Sequence, residues 1–156
     1  RQQFQPEPLA LGEMLHEIHE ESEMIDERHP YALRIEHSCT IEADPAMLKQ
    51  AVRILVDNAA KYTPEGGRIT LRLRADETGA PCIDVQDAGI GVAEKDVAHM
   101  FERFYRSDAA RSSQTGGSGL GLSIAKWIVD QHKGYFEVVS AEGVGTRVSI
   151  HLPQKV

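Results

Sequence analysis

Four glycines, Gly116, Gly117, Gly119 and Gly121, crowd into six positions of the stretch TGGSGLGLSIAK (Thr115–Lys126), and a helix-like apolar stride follows at once. Glycine costs about 0.5–1 kcal/mol relative to alanine inside a regular element, so such a cluster usually marks a place where backbone bends or meets something closely. Here that place lies directly before a helix. Two readings fit. One is a flexible surface loop ahead of an ordinary helix. The other is a phosphate cradle, since a helix N-terminus presents unpaired N–H groups and a favourable dipole to an anion.

The rest of the chain has to be arranged around that helix, which is marked by Leu120, Ile124, Trp127, Ile128 and Gln131 and ended by Gly134. Far upstream, Leu11, Met14, Leu15, Ile18, Ser22 and Ile25 keep a helical stride. They predict an amphipathic helix over residues 9–28 with an acidic outer face, stopped by Pro30. Short strands are expected around Ala32–His37 and Cys39–Glu42. Asp44-Pro45 then offers a capping carboxylate and a first-turn proline to a second helix. Leu48, Ala51, Val52, Leu55 and Ala59 stripe that helix, and Thr63-Pro64-Glu65-Gly66-Gly67 terminates it.

RITLRLR and CIDVQD alternate apolar and polar residues around a turn at 77–81 and read as a hairpin. Residues 93–101 read as a short helix and 107–118 as a mobile loop. A second hairpin closes the chain, YFEVVS and TRVSIHL joined at AEGVG, with Val148, Ile150 and Leu152 facing in. Mixed, mainly antiparallel sheet on one side and three main helices on the other make an α/β (α+β) two-layer sandwich.

At 156 residues, 41% hydrophobic and 26% charged, the chain suits one globular domain with a sizeable core. We assign 9–153 to that domain, 1–8 to a linker and 154–156 to a tail. The start at Arg1 and the polar FQPEP entry suit a domain cut from a longer protein. A net charge of −7 without a basic run argues against nucleic acid or an anionic membrane surface as partner, though a few converging cations would still hold a polyanion. Cys39 and Cys82 form neither a C-x-x-C pair nor a secreted disulfide framework, which suits a reducing compartment. No apolar run reaches the roughly 18–20 residues that span a bilayer.

Three constellations carry chemistry. Asn58, Lys61 and Tyr62 sit at i, i+3 and i+4 of the second helix, hence on one side of it. They are either a solvated helix edge or an amide oxygen, an ammonium and a ring that serve a metal, a phosphate and a flat base. Asp87 ends a strand and is followed by Gly89 and Gly91. That is an ordinary Asx turn, or an acceptor-only carboxylate matched to the exocyclic amine of adenine and mismatched to the carbonyl of guanine. In MFERFYR, Phe101 and Phe104 alternate with Arg103 and Arg106. This is core packing with solvated cations, or a loop anchor with an arginine that reaches an anion.

Order and spacing join these signals. N-x-x-K-Y at 58–62, D-x-G-x-G at 87–91, F-x-x-F-Y-R at 101–106, G-x-G-L-G-L at 117–122 and G-x-G-T at 143–146 closely resemble the ATP-binding catalytic domain of sensor histidine kinases, of the GHKL group with the Bergerat fold that includes DNA gyrase B and Hsp90. The resemblance runs from about Phe4 to Pro153. It implies ATP and Mg²⁺ as cofactors, with Asn58 as the metal ligand, Lys61 as a phosphate contact and Tyr62 beside the adenine. Asp87 matches the adenine-reading carboxylate, with Gly89 and Gly91 shaping the floor. Arg106, with Arg103, matches the group that approaches the terminal phosphate. Gly117, Gly119, Leu120, Gly121 and Leu122 match the glycine box, and Thr146 stands beside the base. Residues 107–118 then become an ATP lid, which answers the question of the glycines: hinge and phosphate site coincide.

The resemblance also implies a γ-phosphoryl transfer to a histidine of a separate dimerisation domain, with relay to an aspartate on a response regulator. Residues 1–8 then lead from that missing domain. The fragment is expected to be monomeric, its parent a homodimer held at a membrane with this domain on the cytoplasmic side. His16-Glu17-Ile18 superficially matches an acceptor motif, but Glu20-Glu21 stands where threonine and proline belong. His16 and His19 read as helix-surface residues, with a metal pair as the other option.

One departure stands out. Many relatives carry a second asparagine four residues before the metal ligand. Ile54 holds that place here and cannot hydrogen-bond water, metal or phosphate. Weaker Mg²⁺ coordination or slower transfer is expected, and a degenerate nucleotide-binding regulatory module is the alternative. Ile54 also replaces the glutamate with which gyrase-type clamps hydrolyse ATP. An anti-sigma-type serine kinase is a further alternative, disfavoured by the K-Y pair and the F-x-x-F-Y-R segment.

Overall fold

Leu9 belongs to a strand and not to the helix that follows it. The computed structural model, which describes residues 3–89 and 120–154, places β1 at Glu7–Ala10. This strand pairs antiparallel with β3 (Thr40–Ala43), so that Leu9 lies opposite Ile41. Helix α1 therefore runs Leu11–Ile25 rather than 9–28, and two residues assigned to the linker, Glu7 and Pro8, sit in a sheet. Leu11, Met14, Leu15, Ile18 and Ser22 are buried as their stride predicts, but Ile25 at the last helical position is exposed. Asp26 then turns the chain away by accepting the Arg28 N–H at 2.8 Å.

Asp44 sets the start of α2 (Pro45–Tyr62). One carboxylate oxygen accepts the Met47 N–H at 3.0 Å, and Pro45, with no N–H to satisfy, occupies the first turn. The other oxygen accepts the Gln5 N–H at 2.8 Å, and the Phe4 ring meets His132 edge-on, which ties the N-terminal segment to the helices. On the surface between α1 and α2, Lys49 and Arg53 pair with Glu17 and Glu21.

A five-stranded sheet runs β2 (Tyr31–Ile35), β4 (Ile69–Ala75), β5 (Pro81–Asp87), β7 (Gly145–His151), β6 (Tyr135–Ala141) in spatial order. Among the described residues only the β2–β4 pair is parallel, because the chain crosses over through α2 between those strands. Helices α1, α2 and α3 (Leu120–Gln131) cover one face, where Ile69, Leu71, Leu73, Ile83, Val85, Val148, Ile150 and Leu152 meet them in one core. This is the two-layer sandwich expected from the pattern.

The stripe expected on α3 is rotated. Ala125, Ile128 and Val129 are buried, whereas Ile124 and Trp127 are 37% and 43% exposed. Small Ala125 faces small Ala51 in a cluster with Met47 and Ile128, so the helices close on the alanines and turn the larger side chains outward. The short helix expected at 93–101 and the loop at 107–118 lie outside the described residues.

The opposite face of the sheet holds an ion-paired network rather than an ordinary solvated surface. Asp84 is almost fully buried, accepting from Arg72 Nε at 2.7 Å, Arg74 Nε at 2.8 Å and the Ser149 hydroxyl at 2.6 Å. Beside it, His151 Nδ1 and Nε2 each lie 2.9 Å from a carboxylate oxygen, of Asp76 and Glu137 respectively, and Tyr135 stacks on the ring. Cys39 and Cys82 are both unbridged.

Candidate functional site

Helix α2 delivers three of the expected site residues together. Asn58 and Tyr62 are half-buried and Lys61 is exposed, all on the side of the helix that their spacing requires. The helix stops at Tyr62, and Thr63 is extended (φ −104°, ψ 128°). What fixes this end comes from the loop before β2. The His29 ring donates through Nε2 to Thr63 O at 2.7 Å, its Nδ1 lies 2.7 Å from Asp26 Oδ2, and Gly66 N–H reaches Arg28 O at 2.8 Å.

Asp87 is the last residue of β5 and, by strand alternation with Ile83 and Val85, lies on the helix-covered face. Its Oδ1 accepts the Gly89 N–H at 2.8 Å and the Thr146 N–H at 3.3 Å. Among the described residues, Oδ2 has no hydrogen-bond partner. Burial pushes the carboxyl above the usual aspartate range, and the two N–H groups pull against that rise without cancelling it.

The end of α2 is pressed against the turn after β5. A Cβ on Gly89 would stand 2.5 Å from Tyr62 O and 2.8 Å from Asp87 Oδ1, so only glycine allows this approach. Gly145, at φ +151°, runs so close to Asp87 that a side chain there would collide with the Asp87 carbonyl. The next residue, Thr146, is thereby held in register opposite Asp87, with its hydroxyl 2.8 Å from that of Ser140.

The first turn of α3 packs against α2. Gly121 and Leu122 are half-buried there, and a Cβ on Gly121 would lie 3.5 Å from Ile54 Cγ2, one turn before Asn58 on α2. Ile54 thus packs into the α2–α3 contact. Leu120 opens α3. Gly91, Arg103, Arg106, Gly117 and Gly119 lie outside the described residues. Among the described residues no three His, Cys, Asp or Glu side chains converge on a metal position. His16 is exposed, and His19 turns Nε2 to Tyr31 O at 3.0 Å.

The local sequence pattern does not single out His29, Asp26 or the role of Thr63, which reads there only as part of a helix stop. Thr63 directly follows the K-Y pair, but nothing in the local pattern announces a partner 34 positions away at His29.

Tyr62 at the end of α2, the 87–89 turn and residues 145–146, far apart in sequence, therefore meet beside one half-buried carboxylate. Residues 43–156 match the family described as histidine kinase-, DNA gyrase B- and HSP90-like ATPases. The chain belongs to that family. Within it, the chain is 38% identical over 146 residues to the phosphate regulon sensor protein PhoR of Pseudomonas aeruginosa, covering 92% of this chain and 33% of that protein. It is also 38% identical over 156 residues to the sensor histidine kinase WalK of Bacillus subtilis, covering 98% of this chain and 26% of that one. The chain thus spans about a third or less of these relatives. Among solved structures, the mycobacterial sensor histidine kinase MprB superposes with a TM-score of 0.84 at 33% identity, covering 96% of this chain and 99% of that one. The full-length kinase ShkA in complex with AMPPNP does so with a TM-score of 0.82 at 28% identity, covering 97% of this chain and 32% of that one. This ATPase-family domain is homologous to the ATP-binding catalytic domains of sensor histidine kinases, which are protein-histidine kinases.

Proposed function

We propose that this domain holds Mg·ATP against α2 and β5 and presents the γ-phosphate to a histidine of a separate domain. The observation that carries the proposal is the Asp87 carboxylate, half-buried, with one oxygen fixed by Gly89 and Thr146 and the other unengaged among the described residues. An acceptor-only group in that state suits the exocyclic amine of adenine. The AMPPNP complex of the similar ShkA supports a nucleotide at this fold.

In this mechanism Asp87 and Tyr62 seat the base, Lys61 meets the phosphates, and the first turn of α3 at Leu120, Gly121 and Leu122 receives them at its N–H groups. Arg106, with Arg103, neutralises the terminal phosphate during transfer, and Gly91, Gly117 and Gly119 let backbone approach the nucleotide. Phosphoryl transfer asks for this kind of positioning and charge neutralisation more than for covalent chemistry. Asn58 would hold Mg²⁺ through its amide oxygen, as suits an ion that takes few protein ligands alongside phosphates and water. The ion, when bound, would supply neutralisation of phosphate charge. The accepting histidine belongs to the dimerisation domain of a homodimeric parent held at a membrane, with this domain in the cytoplasm. A response-regulator aspartate receives the group next.

Ile54 favours one second reading, a nucleotide-binding regulatory module without transfer. Mixing the chain with γ-labelled ATP, Mg²⁺ and a separately prepared acceptor-histidine domain separates the two. Acid-labile, base-stable label on the acceptor is expected. Nucleotide binding with no label selects the regulatory module, and no nucleotide binding at millimolar concentration rejects both.

A further inference from the structure

Thr63 is 4% exposed, and its hydroxyl oxygen has no hydrogen-bond partner among the described residues. An unpaired buried hydroxyl is costly, and native folds rarely leave one without a reason. Its direction is fixed by two glycines. A Cβ on Gly67 would collide with the Thr63 methyl carbon Cγ2, while a Cβ on Gly89 would lie 3.1 Å from Thr63 Oγ1. The methyl group thus fills the space that Gly67 leaves, and the hydroxyl points to Gly89. Asp87 Oδ1 lies 2.8 Å from that same Gly89 position, so the hydroxyl and the carboxylate converge on one glycine.

The backbone of Thr63 is held independently of its side chain. His29 takes the Thr63 carbonyl at 2.7 Å, and the residue sits in the extended geometry that ends α2. No fold-level bond among the described residues therefore uses the hydroxyl.

We propose that the Thr63 hydroxyl is a second reader of the nucleobase, working beside Asp87. The inference rests on the nucleotide reading above. Adenine presents an amine donor next to a ring-nitrogen acceptor. A carboxylate matches the first and repels the second, whereas a hydroxyl donates as readily as it accepts. Thr63 supplies the missing donor to the base edge, directly or across one water.

Titration calorimetry of the 156-residue chain with ADP and Mg²⁺, paired with thermal melts, tests this. Thr63→Val keeps the shape and removes the hydroxyl. It is expected to melt no lower than wild type without nucleotide, because the unpaired group is gone, and to bind ADP about tenfold more weakly. Thr63→Ser, which keeps the hydroxyl, is expected to bind within about threefold of wild type. Thr63→Ala serves as a second hydroxyl-free variant should the valine variant not fold. Wild-type affinity in either folded hydroxyl-free variant overturns the proposal, as does equal weakening in the serine variant. A wild-type chain that binds no ADP overturns the nucleotide reading itself, and this inference with it.

Discussion

Asp87 Oδ1 accepts the Thr146 N–H across the β5–β7 pair at 3.3 Å, so the carboxylate is aimed by a residue 59 positions away in the chain. With Gly89 N–H on the same oxygen, the group cannot rotate without losing both bonds. Asp87→Asn keeps the shape but replaces an ionised acceptor with an amide. Nucleotide affinity is expected to fall by at least about tenfold, about 1.4 kcal/mol, by calorimetry. Unchanged affinity would remove Asp87 from base recognition.

The same carboxylate has a pH signature. Burial places its folded pKa above the unfolded value, against the pull of Gly89 and Thr146 N–H. Its contribution to the stability of the free domain is therefore present below the ordinary aspartate value and is lost as pH rises through the raised one. Binding runs the other way, because only the ionised form is a pure acceptor. Affinity is expected to drop as pH falls through a midpoint above the ordinary aspartate value, and that step should vanish in Asp87→Asn. Identical pH profiles for the two proteins would contradict this.

Ile54 lies against Gly121 in the α2–α3 contact, one turn from Asn58. Ile54→Asn exchanges apolar packing for a polar group beside the proposed metal ligand. The variant is expected to melt several degrees lower, for a loss of about 1–3 kcal/mol, while it needs less Mg²⁺ for half-maximal ATP binding. An unchanged Mg²⁺ requirement would show that this position has no part in metal coordination.

Asp26 and His29 form the brace behind Thr63. Burial alone would raise the Asp26 pKa. The Tyr31 hydroxyl at 2.5 Å, the His29 ring and the Arg28 N–H outweigh it and hold the carboxyl below the usual range. The resulting stability is present above the unfolded aspartate pKa and is lost as pH falls through the lowered folded value. Asp26→Asn is expected to cost about 1–3 kcal/mol in urea unfolding at neutral pH. The gap to wild type should narrow in acid, and a gap independent of pH would argue against an ionised Asp26.

Asp84 sits on the sheet face remote from the nucleotide site, between Arg72, Arg74 and Ser149. Truncating it strands two arginines. Asp84→Ala is expected to destabilise the domain by about 3–5 kcal/mol in denaturant unfolding. ADP affinity, measured where the variant is still folded, should stay within about twofold of wild type. A large affinity loss would mean that the far face reaches the site through β5.

Whatever depends on near neighbours is legible in the chain before it folds. A 3.6-residue stride marked α1, α2 and α3, a two-residue alternation marked the hairpins, Asp44-Pro45 marked a helix start, and ordered boxes marked the residues around Asp87. These patterns survive in a single chain because backbone periodicity and capping act within a few positions. Tertiary structure alone decided that Leu9 would pair with Ile41 instead of extending α1, and that Ala125 would replace Ile124 and Trp127 on the buried side of α3. It alone decided that Asp84 would be buried between two arginines and that Thr63 would keep a hydroxyl turned toward Gly89. Each of these outcomes turns on which surfaces come together across tens of residues. That choice belongs to the packing of the whole domain, and no local window of sequence contains it.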